Sequence, residues 1–242
     1  MSVAEEITDT SIDRDFAEHL LKCFDDPQEY GVHLLFNRWW RHAPDATIAR
    51  YVSELEAMPG FADFVAARHL ADPVDLDALK ACPEGSLGRG YADFLIDNQL
   101  EKNLAVNYQA YHDMLAGDGK LDRMPGDLRY AIIRGFQIHD IQHVLTGYEP
   151  TSLGEIGLQA FCLGQIRFPY FGMWISNVTT RMTYLHPEMI TPIMDWVSEG
   201  WRYGRTAANL QFERWEDRFD EPLSDLRAEF GIRPEGGGPV AH

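Results

Sequence analysis

Arg134-Gly135-Phe136-Gln137-Ile138-His139-Asp140-Ile141-Gln142-His143-Val144-Leu145-Thr146-Gly147-Tyr148-Glu149-Pro150-Thr151-Ser152-Leu153-Gly154-Glu155 is the stretch whose reading decides the fold. Its apolar residues Ile138, Ile141, Val144 and Leu145 recur at helical spacing and surround three polar ones. On a helix, His139 and His143 stand about 40° apart and one turn above one another, while Asp140 lies about 100° from the first and about 60° from the second. All three can lean toward one point. Gly147 suits the left-handed residue that ends a helix, and Pro150 blocks simple continuation. Ser152 then starts a second helix. If the two run antiparallel, His143 is roughly 6 Å from the turn and Glu155 roughly 4.5 Å from it, at similar heights. Two imidazoles and two carboxylates so placed form a mixed nitrogen and oxygen site, which suits zinc, iron, manganese or cobalt better than calcium or magnesium. Competing readings stand beside this one. A histidine pair at this spacing can be incidental, Asp140 can be a solvated helix residue, and Ser152-x-x-Glu155 is also a capping box.

Outward from this stretch the pattern stays helical. Residues 12–25, Gly31 to Arg41, Thr47 to Met58, Phe61 to His69, Asp75 to Ala81, Leu87 to Leu95 and Asn107 to Leu115 read as helices, with Ser86 a candidate cap. A long helix starts at Pro125-Gly126-Asp127. The segment from Ser152 to about Leu185 is helical with a kink expected at Pro169, Pro192 to Trp215 is the last long helix, and Leu223 to Phe230 a short one. No segment alternates with period two between hairpin turns. The expectation is an all-α, single-domain multi-helix bundle with a metal site at a helix-turn-helix. Residues 1–80 form an N-terminal helical layer of that domain, 81–232 the core with the metal site, and 233–242 a disordered tail.

Composition narrows the function. A net charge of −17 argues against a nucleic-acid partner and against simple docking on anionic lipid. Three cysteines, Cys23, Cys82 and Cys162, are far apart and fit a reducing compartment, with Cys162 a small core hydrophobe. The acidic N-terminus does not read as a signal or transit peptide. Ile156 to Tyr184 is too interrupted by polar residues for a membrane span. Trp39-Trp40-Arg41 suits either a membrane interface or a buried helix.

The segment resembles the signature of the coenzyme Q biosynthesis protein four family: His139-Asp140-x-x-His143, eleven residues, then Glu155, with Arg134 five positions ahead and Leu145-Thr146-Gly147 and Gly154-Glu155 matching. Upstream, Pro83-Glu84-Gly85-Ser86-Leu87-Gly88 resembles the family. So do Gly200-Trp201 with Gly204, Trp215-Glu216, Pro222-Leu223 and Gly231-Ile232 downstream, so the likeness covers about residues 80–232. It departs at Gln142, where an aromatic residue is usual, and at Gly135 and Phe136, where arginine is common. The resemblance implies that His139, Asp140, His143 and Glu155 bind a divalent metal, zinc first, with iron, cobalt or manganese as alternatives. It implies ubiquinone biosynthesis and oxidative decarboxylation at ring carbon one of a polyprenylated hydroxybenzoate-type intermediate. Its alternative is a non-catalytic prenyl-lipid-binding scaffold with a structural zinc that organises other ubiquinone-pathway enzymes. A cytoplasmic protein, peripheral at the inner face of the cell membrane and able to form a homodimer, is the matching expectation. A prenyl tail needs an apolar groove, for which Phe161, Phe168 and Trp174 are candidates. Gly157, Gly164 and Gly172 would admit a tail or another helix. Arg134 and Arg167 are candidates for a substrate carboxylate. Aromatics at helical spacing are also ordinary core, and arginines also pair with neighbouring acids.

Overall fold

A computed structural model of the protein describes residues 12–26, 29–117 and 122–239. Among these residues there is no strand, and twelve α-helices form. They are α1 (Arg14–Asp25), α2 (Val32–His42), α3 (Asp45–Glu56), α4 (Phe61–Ala67), α5 (Leu76–Ala81), α6 (Leu87–Asp97), α7 (Tyr108–Gly117), α8 (Gly126–Thr146), α9 (Ser152–Ile166), α10 (Pro169–Leu185), α11 (Ile190–Thr206) and α12 (Leu223–Phe230). Side-chain caps start several of them. Asp13 accepts from the Phe16 N–H, Ser86 from Arg89 and Thr151 from Gly154, each satisfying an amide the helix leaves open.

The apolar faces meet in two clusters. One gathers Leu87, Leu95, Ile138, Leu145, Leu158, Phe161 and Trp215 from α6, α8, α9 and the C-terminal elements. The other is aromatic, with Phe36, Trp40, Phe61, Phe64, Tyr130 and Phe168 joining α2 and α4 to the start of α8 and the start of α10. Burying each such side chain stabilises the fold by about 1.5–3 kcal/mol. Trp40 is fully buried and meets Trp39 edge to face at 4.7 Å, so it is a core residue and not a membrane anchor.

The tightest helix pair is α9 on α11. A Cβ at Gly200 would sit 2.3 Å from the Gly157 carbonyl oxygen, and one at Gly204 2.1 Å from that of Phe161. Only glycine allows this approach. Gly157 and Gly164 thus admit another helix, as expected, whereas Gly172 faces open space.

Ser152 opens α9 as the sequence suggested, with Thr151 as its cap. Two boundaries differ from the sequence reading. The expected kink at Pro169 is a full break: Arg167 turns left-handed (φ 50°) and Pro169 opens a new helix. The helix expected to reach Trp215 ends at Thr206. There Gln165 of α9 substitutes for helical hydrogen bonds. Its Nε2 donates to the Gly204 and Ala208 carbonyls and its Oε1 accepts from the Leu210 N–H. At the other end of the chain, Gly236 lies against Gly147 and Gly237 against the Tyr148 ring. Residues 240–242 of the expected tail, and residues 1–11, lie outside the described residues.

Candidate metal centre and its apolar cavity

The turn between α8 and α9 sets the site. Gly147 is left-handed (φ 75°), and its N–H donates to the His143 carbonyl at 2.8 Å. The chain then carries the Tyr148 carbonyl back over His143, whose Nδ1 lies 2.7 Å from that oxygen. A carbonyl only accepts, so Nδ1 carries a proton and Nε2 is the ring atom left to meet a proton or a cation. That nitrogen faces Glu155 in the first turn of α9: Nε2 to Oε1 is 3.2 Å. His139, one turn before His143, places Nε2 3.6 Å from Glu155 Oε2. Donor atoms of the three side chains all lie within 4.8 Å of one another. Phe94 stacks on the His143 ring at 5.5 Å and 19°, fixing its plane.

These distances suit a small divalent cation. Ligands 2.0–2.2 Å from a tetrahedral centre stand about 3.4 Å apart. His143 Nε2 is buried and makes no hydrogen bond, although a carboxylate oxygen is close. Two lone-pair atoms at that separation repel unless a proton or cation lies between them. Electrostatics point the same way. Burial pushes the Glu155 carboxyl up, but the facing imidazoles of His139 and His143 outweigh it and hold the group at about 2. For His139, burial lowers the pKa, but Glu155 and then Asp140 outweigh it and the net shift is upward. The capping-box alternative for Glu155 is not realised, because Thr151 caps α9 and the carboxylate faces the histidines.

Asp140 stands apart from the three. Its Oδ2 accepts from Asn103 Nδ2 at 2.9 Å, and it is not among the clustered donors.

His139 and Glu155 open on a cavity of about 320 Å³. Its other walls are mainly apolar: Phe36, Tyr51, Phe61 and Phe64 from the N-terminal helices, Phe168, Phe171 and Trp174 at the start of α10, and Phe212. Phe168 and Trp174, two of the expected groove residues, line it. Phe161, Arg134 and Arg167 do not line it. Phe161 is fully buried against Tyr203, with ring centroids 5.2 Å apart. Arg134, 1 % exposed, donates to both Glu216 oxygens at 2.6 Å, to Gln137 and to the Glu213 carbonyl, so its guanidinium is committed to the fold. Arg167 is exposed at the end of α9, 3.8 Å from Glu54. The wall residues Phe36, Tyr51, Phe61, Phe64 and Phe212 escaped the sequence reading. They lie far along the chain, and only the aromatic density of Gly31 to Tyr51 hinted at them.

Fold and site together define a protein whose described residues are helical and strand-free, with His139 and Glu155 at the wall of an apolar cavity and His143 buried beside them. The chain belongs to the family described as coenzyme Q (ubiquinone) biosynthesis protein Coq4, whose family model matches residues 68–235. It is 29 % identical over 163 residues to the rat ubiquinone biosynthesis protein COQ4 homolog, mitochondrial, covering 66 % of this chain and 56 % of that protein. The human homolog of the same name is 29 % identical over 161 residues, covering 66 % and 55 %. The chain thus spans little more than half the length of these relatives. A crystal structure from Nostoc punctiforme PCC 73102, titled as a ubiquinone biosynthesis protein, superposes with a TM-score of 0.70 at 25 % identity, over 90 % of this chain and 95 % of that one. No helix among the described residues is long and apolar enough to cross a membrane.

Proposed function

We propose that the chain acts in ubiquinone biosynthesis as a metal-dependent enzyme, removing the carboxylate at ring carbon one of a polyprenylated hydroxybenzoate-type intermediate by oxidative decarboxylation. The observation that carries the reading is the buried, unpartnered Nε2 of His143 facing Glu155, which lies on the wall of an apolar cavity. His139, His143 and Glu155 would hold the cation, while Asp140 is engaged by Asn103 and would close the site only on giving up that bond. A bound divalent cation supplies Lewis acidity, and iron, cobalt or manganese also electron transfer, which zinc does not. The protein's own part is to bind and shield. The aromatic walls take the prenyl chain and exclude water, and the cluster fixes the height at which the ring stops. Three clustered donors leave coordination positions open, as a catalytic rather than a closed structural site requires.

The test is purified protein loaded separately with zinc, iron, cobalt and manganese, given a carboxylated prenyl-ring substrate and dioxygen, with product followed by mass spectrometry. Turnover with a redox-active metal, lost in Glu155→Gln, is expected. A folded, metal-loaded protein that binds the substrate and never releases carbon dioxide overturns the enzyme reading and leaves a prenyl-lipid carrier.

A further inference from the structure

The cavity wall next to the cluster holds two amides that the chemistry above does not use. Gln142 lies three residues after His139 on α8, and Gln159 four residues after Glu155 on α9, so each shares a helix face with a member of the cluster, about one turn on. Both line the cavity, and both are almost fully buried, at 2 % and 6 % exposure. Each leaves one polar atom without a partner: the Nε2 donor of Gln142 and the Oε1 acceptor of Gln159. Buried amide groups with no partner are costly, so a pair of them on residues that line an apolar cavity points to an occupant that completes them.

The orientation of Gln142 is set from behind. Gln211 Nε2 donates to Cys162 Sγ at 3.5 Å, and that thiol donates onward to Gln142 Oε1 at 3.4 Å. Burial pushes the Cys162 thiol up to about 12, so it keeps the proton it donates. With its oxygen so occupied, Gln142 turns its N–H₂ away from the thiol.

We propose that Gln142 and Gln159 select the ring head group: one donor and one acceptor that together take a neutral ring hydroxyl. A phenolic O–H accepts from Gln142 Nε2 and donates to Gln159 Oε1. A quinone oxygen or an aryl ether has no proton to give and leaves Gln159 unpaired. The site therefore takes the reduced, hydroxyl-bearing ring and rejects its quinone. This rests on the prenylated-ring reading above and adds to it the residues that read the ring's oxidation state.

The full chain, stripped of metal, is titrated calorimetrically with 2-geranylphenol, its methyl ether and 2-geranyl-1,4-benzoquinone. The wild type is expected to bind the phenol at least tenfold more tightly than either of the others. Gln159→Met, which keeps side-chain volume, should bring that ratio within about threefold while leaving the ether's affinity unchanged, whereas Gln142→Met should weaken phenol and ether alike. Gln142→Leu and Gln159→Leu replace any methionine variant that fails to fold. Equal binding of phenol and ether by the wild type overturns the proposal, since the amides then merely hold a water. So does a preference that survives Gln159→Met, affinities unmoved by Gln142→Met, or no binding of any probe. Because no turnover is measured, a chain inert as a decarboxylase still shows the preference if the selector exists, and an active one lacks it if the selector does not.

Discussion

Gly204→Ala tests whether the contact of α9 with α11 is as close as described. The added methyl carbon would stand 2.1 Å from the Phe161 carbonyl oxygen, 2.8 Å from its carbon and 3.0 Å from its Cα, all backbone atoms that cannot rotate away. The oxygen contact is about 1.3 Å short of ordinary van der Waals separation, so the helices must part by a comparable amount. Parting also pulls the Gly204 carbonyl from Gln165. Forcing extra volume into a packed interface costs about 1–3 kcal/mol, and a clash between two rigid backbones belongs at the upper end. Alanine's better helix propensity returns about 1 kcal/mol. The net loss is about 2 kcal/mol, or a fall in Tm of roughly 4–8 °C for a chain of this size. Gly172→Ala is the control: it lies in α10 with nothing within 4 Å of the new carbon, so propensity acts alone and Tm should rise slightly. Thermal unfolding followed by far-ultraviolet circular dichroism reads both. If Gly204→Ala melts at or above the wild type, the close approach is not there and the reasoning fails.

Three further outcomes are expected. Cobalt uptake, followed by its visible absorption, should be abolished in His143→Ala. In the wild type it should weaken as the pH falls. Protons compete for His139 from above its ordinary value of 6.5 because its pKa is raised, while Glu155, held at about 2, stays ionised throughout. Uptake unchanged from neutral pH to pH about 5 would contradict the ligand set. Asn103→Ala, which frees Asp140, should tighten cobalt binding several-fold by competition titration; unchanged affinity would show that Asp140 plays no part. Arg134→Met strands Glu216, which is 12 % exposed, and should lower stability by about 3–5 kcal/mol in urea denaturation, yet leave the affinity for 2-geranylphenol as it was. Lost affinity in a variant that still folds would return Arg134 to the cavity.

The cluster of His139, His143 and Glu155 was legible because it is local. His139, His143, Gly147 and Glu155 fall within seventeen residues, and helix geometry alone gives their heights and facing. Even there a rival could not be dismissed, since Ser152 and Glu155 have capping-box spacing. It took the observed cap at Thr151 to free the carboxylate. The fate of Arg134 was not legible, because Glu216 is 82 residues away and nothing local marks it as the partner. Gln142 appeared only as a departure from a family pattern, and Gln159 did not stand out at all. An amide's meaning depends on which atoms its neighbours leave unpaired, and Cys162 and Gln211 decide that from two other segments. The end of α11 was misjudged for the same reason: Gln165, reaching across from α9, terminates it where helical periodicity ran on.

The cavity lies along a seam. Phe36, Tyr51, Phe61 and Phe64 come from the aromatic N-terminal cluster, while His139, Gln142, Glu155 and Gln159 come from the two helices on either side of the Gly147 turn. A guest lodged there touches both halves simultaneously and adds contacts between them. Cargo then works as mortar, and a long hydrocarbon chain, gripping more of the seam than a short one, would make the filled molecule unfold in a single step at a temperature that climbs with every isoprene unit.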